Sequence, residues 1–161
     1  MNLEAADRIK LLVLDVDGVL TAGRLWFGAE GEALKVFHVR DGAGIKALQS
    51  AGVTVAIISG RTSPAVTRRA AELGIRHVRQ GAEDKAAALA ELLGETGVAA
   101  SVTACIGDDT PDLAVMTRVA LPIAVADAHP SVLAAAHHVT RLGGGRGAVR
   151  EICDLLIEAR S

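Results

Sequence analysis

The chain has 161 residues and a formal net charge of −2; hydrophobic residues make up 50%, charged residues 22% and aromatics 2%. That length favours one domain with an adequate core, residues 1–161, and the composition argues against a disordered chain. The scarcity of aromatics and the absence of a basic excess argue against base-stacking nucleic-acid platforms and anionic membrane surfaces, so neither nucleic acid nor membrane is an expected partner.

In chain order, the first segment, "MNLEAADRIK", has no apolar signal core, and no apolar run approaches the ~18 residues of a membrane span. A cytoplasmic protein is expected, with Cys105 and Cys153 as reduced core thiols. Residues 10–16 (KLLVLDV) read as a buried strand. Residues 24–37, "RLWFGAEGEALKVF", read as two short strands around a glycine-bearing turn, a hairpin inserted after the first strand. Further strands are predicted over 53–58, 76–79, 102–106, 121–125 and 137–140, and amphipathic helices over 43–51, 63–73, 83–94, 110–118, 130–136 and 147–159. Pro64, Pro111 and Pro130 fall at helix starts, where a missing N–H costs nothing. Gly52 and Gly74 follow helices as stops. This alternation predicts an α/β fold, a Rossmann-like parallel sheet with helices on both faces. A cap domain of ~50 residues or more has no room in the chain.

In such a sheet ligands bind beyond the carboxyl ends of the strands. Strand one ends in Asp15-Val16-Asp17, strand two in Ser59-Gly60-Arg61 and strand four in Gly107-Asp108-Asp109, with Asp112 one turn on. Lys85 opens the helix after strand three. Several carboxylates on one edge repel each other unless a cation sits among them, and oxygen ligands suit Mg²⁺. Asp15 is then a candidate nucleophile that accepts a phosphoryl group. Asp17 could protonate the leaving oxygen and then deprotonate water. Ser59 and Lys85 could bind the oxygens of the transferring group. Taken singly, each feature has a simpler reading: an acid as helix cap (Asp109 fits this best, in "DDTPDL"), Ser59 as a turn residue, Lys85 as a solvated charge. Their joint occurrence at separate strand ends carries the functional reading. Arg40, Arg61 and Arg69 could pair with a second anion such as a sugar-acid carboxylate. His38 could contact substrate or pack at a subunit interface, and His137 and His138 are expected to be structural or exposed. The run Gly143–Gly147, with Arg146 and Arg150 nearby, reads as a functional loop at a helix start rather than a plain joint.

The motifs "DVDGVLT", "SGR", Lys85 and "GDDTPD" resemble those of the haloacid dehalogenase superfamily of phosphatases. "FHVRDGAGI", "IAVADAHP" and "HVTRLGGGRGAVREICDLL" extend the resemblance to its small, capless 3-deoxy-D-manno-octulosonate 8-phosphate phosphatase family, over about residues 9–159. The resemblance implies Asp15 as nucleophile, Asp17 as general acid/base, and Mg²⁺ held by the Asp15 side chain, the Asp17 carbonyl and Asp108, with Asp109 and Asp112 in support. It implies phosphate held by Ser59 and Lys85. It also implies substrate recognition by Asp17, His38, Val39, Arg40, Asp41, Gly42, Lys46, Arg61, Arg69 and Lys85. Further implications are a homotetramer whose hairpins stand in for a cap, a glycine-rich segment that could enter a neighbour's site, and a place in lipopolysaccharide precursor synthesis. Ala22, Thr110-Pro111 and His38 depart from the usual pattern. Two other readings remain at this point. One is a phosphatase of nonulosonate 9-phosphates. The other is a phosphorelay receiver module, against which the acid two residues after Asp15 counts. No G-x-G-x-x-G follows the first strand, which disfavours a dinucleotide fold.

Overall fold

The computed structural model describes residues 3–160. A parallel sheet is formed by β1 (Leu11–Leu14), β4 (Thr54–Ile58), β5 (His77–Arg79), β6 (Thr103–Gly107), β7 (Leu121–Ala124) and β8 (His138–Val139). The strand order is β5-β4-β1-β6-β7-β8. β1 is inside, paired with β4 through Leu14↔Ile57 and with β6 through Leu14↔Ile106. Every residue of β1 is buried, as the uninterrupted apolar run "LLVL" demands of a strand covered on both faces.

The chain winds outward from β1 to β4 and β5, then crosses back through α4 (Lys85–Thr96) to β6 beside β1. That reversal makes the carboxyl ends of β1 and β6 the switch point, where a crevice opens between diverging connections. On one side α2 (Val39–Ser50) contacts α3 (Pro64–Leu73) and α7 (Ala148–Glu158). α4, α5 (Leu113–Met116) and α6 (Pro130–Ala135) form a second contiguous set, and a short α1 (Leu3–Ala6) precedes β1. A separate antiparallel hairpin, β2 (Trp26–Gly28) with β3 (Gly31–Leu34), is the predicted insertion. None of the described helices is long and apolar enough to cross a membrane.

Two predicted helices differ from their expected bounds by more than two residues. α2 starts at Val39, ahead of residue 43, because the His38 ring Nδ1 accepts the Arg40 N–H and caps the first turn. The stretch 110–118 is a 3₁₀ turn, Thr110–Asp112, followed by the single turn of α5. Asp109 caps it as expected, in a reciprocal box with Asp112. Gly74 ends α3 in the left-handed conformation (φ 72°).

Glycines inside helices divide by what surrounds them. A Cβ on Gly44 would lie 3.1 Å from the Arg150 Cα and 3.2 Å from the Cys153 Cβ, so the bare backbone lets α2 and α7 pack closely. Gly94 in α4 is exposed with nothing within 4 Å of that position. Thermal or denaturant unfolding is therefore expected to show Gly94→Ala more stable by ~0.5–1 kcal/mol and Gly44→Ala less stable by ~1–3 kcal/mol.

Candidate active site

β1 delivers Asp15 and β6 delivers Asp108 to the switch point. The backbone N–H of Asp15 still bonds the Ile106 carbonyl at 3.2 Å, which holds the two strand ends side by side. The loop after Asp15 is closed locally: the Val16 carbonyl accepts from Val19, Leu20 and Thr21, and Thr21 Oγ1 accepts the Gly18 and Gly23 N–H groups. A Cβ on Gly18 (φ +91°) would stand 1.9 Å from Asp108 Oδ2, so only glycine lets Asp108 approach this loop.

Carboxylate oxygens of Asp15, Asp108 and Asp112 come within 4.8 Å of one another. Lys85 is buried among them, its Nζ donating to Asp15 Oδ1 at 3.0 Å and to Asp112 Oδ1 at 2.6 Å. The second oxygen of Asp112 accepts the backbone N–H groups of Asp108 (2.9 Å) and Asp109 (3.3 Å). Asp112 is thereby committed to the scaffold. Asp108 Oδ1, by contrast, is buried with no hydrogen-bond partner among the described residues. A single ammonium cannot neutralise these acids. Burial, then Asp112, push Asp15 up to about 6 against the pull of Lys85. Burial, Asp15 and Asp112 push Asp108 up to about 8. Burial disfavours the Lys85 ammonium, but Asp15 and Asp112 outweigh it and raise its pKa. A hard divalent cation between Asp15 and the orphaned Asp108 oxygen fits this donor set.

These acids open into a cleft of about 470 Å³, lined also by Asp17, Ser59, Gly60, Arg61, Glu83 and Asp109. Ser59 is buried at the end of β4, its N–H on the Arg79 carbonyl at 2.8 Å. The Asp17 side chain stands apart from the cluster of three. It accepts from Lys35 Nζ at 2.5 Å and lies 4.0 Å from Arg61 Nε. Arg61 also reaches Glu32 at 3.2 Å, and Glu32 accepts from Lys35 at 3.1 Å. Lys35 and Glu32 were not among the expected site residues. The signal was the "EGEALK" charge pair on the hairpin, three residues apart, which reads equally as a solvated pair.

The structure thus brings together Asp15, Asp17, Ser59, Arg61, Lys85, Asp108, Asp109 and Asp112. His38, Val39, Arg40, Asp41, Gly42, Lys46 and Arg69 do not line this cleft. His38 caps α2 and Val39 is 78% exposed beside it. Asp41 is buried and caps α7, its Oδ1 accepting the Arg150 N–H at 2.8 Å. Gly42 leaves room for the Arg69 guanidinium, which sits 5.9 Å from the Phe37 ring centroid and pairs with Glu72. Arg40 borders a second groove with Arg141, Arg146 and Arg150, and Lys46 is exposed on α2.

Within its own chain the glycine-rich segment lies against the first loop. Gly145 N–H donates to the Val19 carbonyl at 2.9 Å, Gly144 N–H donates to Asp127 Oδ1 at 2.9 Å, and a Cβ on Gly144 would fall 1.7 Å from the Gly18 carbonyl oxygen. Gly144 and Gly145 lack side chains because two backbones touch there. Ala22 is exposed next to this contact; nothing in the structure explains its departure from the usual residue. His137 is exposed and His138 half-buried.

A haloacid dehalogenase-like hydrolase profile matches residues 77–147. Over 155 residues the chain is 50% identical to the 3-deoxy-D-manno-octulosonate 8-phosphate phosphatase KdsC of Escherichia coli K12, spanning 96% of this chain and 82% of that protein. It is similar to the solved phosphatase of Moraxella catarrhalis in complex with magnesium, phosphate and KDO (TM-score 0.95, 42% identity, 98% of this chain and 91% of that one). The cobalt-bound deoxy-D-mannose-octulosonate 8-phosphate phosphatase of Haemophilus influenzae is equally similar in shape (TM-score 0.95, 46% identity, 97% and 91% covered). Identity on this scale over nearly the whole length, together with the acid cluster at the β1–β6 switch, places the chain in the 3-deoxy-D-manno-octulosonate 8-phosphate phosphatase family of the haloacid dehalogenase-like hydrolases.

Proposed function

We propose that the chain is an Mg²⁺-dependent phosphomonoesterase that hydrolyses 3-deoxy-D-manno-octulosonate 8-phosphate to the free sugar acid and phosphate, in the cytoplasm, as a step of lipopolysaccharide precursor synthesis. The observation that carries this reading is the convergence of Asp15, Asp108 and Asp112, with Lys85 bonded to Asp15 and Asp112 and one Asp108 oxygen left for a cation. Asp15, the side chains of Asp108 and the Asp17 carbonyl would hold the ion, whose role is to neutralise charge on the phosphoryl oxygens.

In this reading Asp15 attacks phosphorus with the oxygen that does not serve Lys85 and becomes an aspartyl-phosphate as the bond to the sugar oxygen breaks. Asp17 gives its proton to that oxygen, then takes one from the water that cleaves the intermediate and frees Asp15. Ser59 and Lys85 orient the phosphoryl group, with Asp109 and Asp112 fixing the loop that presents Asp108. Arg61 at the cleft mouth meets the sugar acid.

His38, Val39, Arg40, Asp41, Gly42, Lys46 and Arg69 lie outside the cleft of their own chain, and we assign this region to the recognition surface offered to a neighbouring copy. The hairpin supports an assembly. Leu25, Trp26, Phe27, Leu34 and Val36 are all exposed, as is Val39 beyond it, an apolar surface with no cap to cover it. A homotetramer would cover that surface and complete each site.

Phosphate release from a panel of sugar phosphates tests the activity. The 8-phosphate is expected to be turned over well above the others, and Asp15→Asn to fall to background; comparable rates on nonulosonate 9-phosphates would overturn the substrate assignment. Sedimentation is expected to show a tetramer that Phe27→Glu breaks into smaller species; an active wild-type monomer would contradict the assembly. Carboxyls with raised folded-state pKa contribute stability that is complete below their unfolded value of ~3.9 and is lost as pH rises through about 6 for Asp15 and about 8 for Asp108. The metal-free protein is therefore expected to melt at falling temperature from about pH 4 to about pH 8. Added Mg²⁺ should raise Tm more at the alkaline end, where no proton competes for the same oxygens, as calorimetry with and without chelator would read.

A further inference from the structure

Two lysines each hold acids of the cleft. Lys85 serves Asp15 and Asp112. Lys35, on the hairpin, serves Asp17 alone among the acids of the first motif. The Lys35 side chain is 3% exposed, unlike a typical lysine, which lays its stem on the surface and keeps its ammonium in water. Its ammonium instead sits between Asp17 (2.5 Å) and Glu32 (3.1 Å). Glu32 is held in turn by Arg61 at 3.2 Å, and Arg61 closes the ring 4.0 Å from the other oxygen of Asp17. Cation and anion alternate around this ring, so the desolvated lysine is paired on both sides, the condition under which a buried ion persists.

We infer that Lys35 is a positioning residue for Asp17: by binding Oδ1 it draws the carboxyl out of the Asp15–Asp108–Asp112 cluster and leaves Oδ2 as the oxygen that carries the proton. This rests on the reading of Asp17 as the acid and base of the phosphatase reaction. The balance of the step is unchanged by Lys35, which keeps all its protons. In the first half the Asp15–phosphorus bond forms, the bond from phosphorus to the sugar oxygen breaks, and the Asp17 Oδ2 proton passes to that oxygen. In the second half a water oxygen bonds phosphorus, its proton passes to Oδ2, and the Asp15–phosphorus bond breaks. A carboxyl without its Oδ1 anchor is free to turn toward the cluster, away from both the leaving oxygen and the water. The hairpin thereby has a task inside its own chain's site, separate from its exposed apolar face.

The test compares two leaving groups. A sugar alkoxide needs a proton to leave, whereas p-nitrophenolate does not. Lys35→Met is expected to lower kcat on the sugar-acid phosphate at least about tenfold with KM within about twofold, on the scale of a misplaced proton-transfer group. With p-nitrophenyl phosphate the same variant should release a burst of about one nitrophenolate per site at the wild-type rate and then turn over slowly, as aspartyl-phosphate accumulates. Lys35→Arg should recover most of the lost kcat. An equal loss on both substrates without a burst would make Lys35 a structural group, a loss confined to KM would make it a substrate-binding group, and an unchanged kcat would remove its role; each overturns the inference. If Lys35→Met does not fold, Glu32→Gln carries the test. It keeps the ammonium but frees one of its two anchors, and it should show the same burst at smaller amplitude; its absence also overturns the inference. A wild-type protein inactive on the 8-phosphate would instead count against the functional reading itself.

Discussion

The mutual repulsion of Asp15, Asp108 and Asp112 is the constraint around which the rest of the molecule is arranged. Two unit charges ~4 Å apart at an effective dielectric of ~20 interact by ~4 kcal/mol, so three such acids cannot persist ionised without compensation. Lys85 supplies one positive charge from the start of α4, and two backbone N–H groups turn toward Asp112. The remainder is left open at Asp108, which is the position a divalent ion would take. The parallel sheet is the device that brings these groups together. It aligns all its strand ends on one edge, and the reversal between β5 and β6 sets Asp108 beside Asp15. The buried apolar strands contribute stability that the charged edge does not.

Close approach matters as much as charge. Gly18 admits Asp108, Gly107 admits Asp112, and Gly144 lies against the Gly18 carbonyl. Each of these glycines brings a backbone or a carboxylate nearer than a Cβ would permit. Gly42 and Gly44 serve the same end on α2, for Arg69 and for α7. The "VRDG" segment is therefore partly architectural in its own chain, since Asp41 caps α7 and Gly42 seats Arg69.

The sheet, its strand ends and the acid cluster were legible in the sequence because each rests on local patterning: apolar runs with acids immediately after them. Asp109 as a cap and Pro64, Pro111 and Pro130 at helix starts were legible for the same reason. The start of α2 was not, because two glycines and a charge pair mask a helix that α7 and Arg69 support from outside. Lys35 and Glu32 were not, because a buried ion pair and a solvated one are spelled alike; only the fold of the hairpin over Asp17 distinguishes them. The glycine-rich segment reads in sequence as a functional loop, but what it packs against does not. Its contact with residues 18–22 joins distant parts of the chain, and no periodicity reports such a pairing.

That last contact has a bearing on how the protein is made. The loop carrying Asp15 and Asp17 is synthesised well before Gly144 and Gly145, which brace it. Asp108 and Asp127 also come late. A nascent chain that has finished β1, β4 and β5 therefore exposes an apolar half-sheet with its first loop unbraced, and long-range closure of this kind slows as the sequence it spans lengthens. Asp15 is therefore translated well before the residues that complete its surroundings.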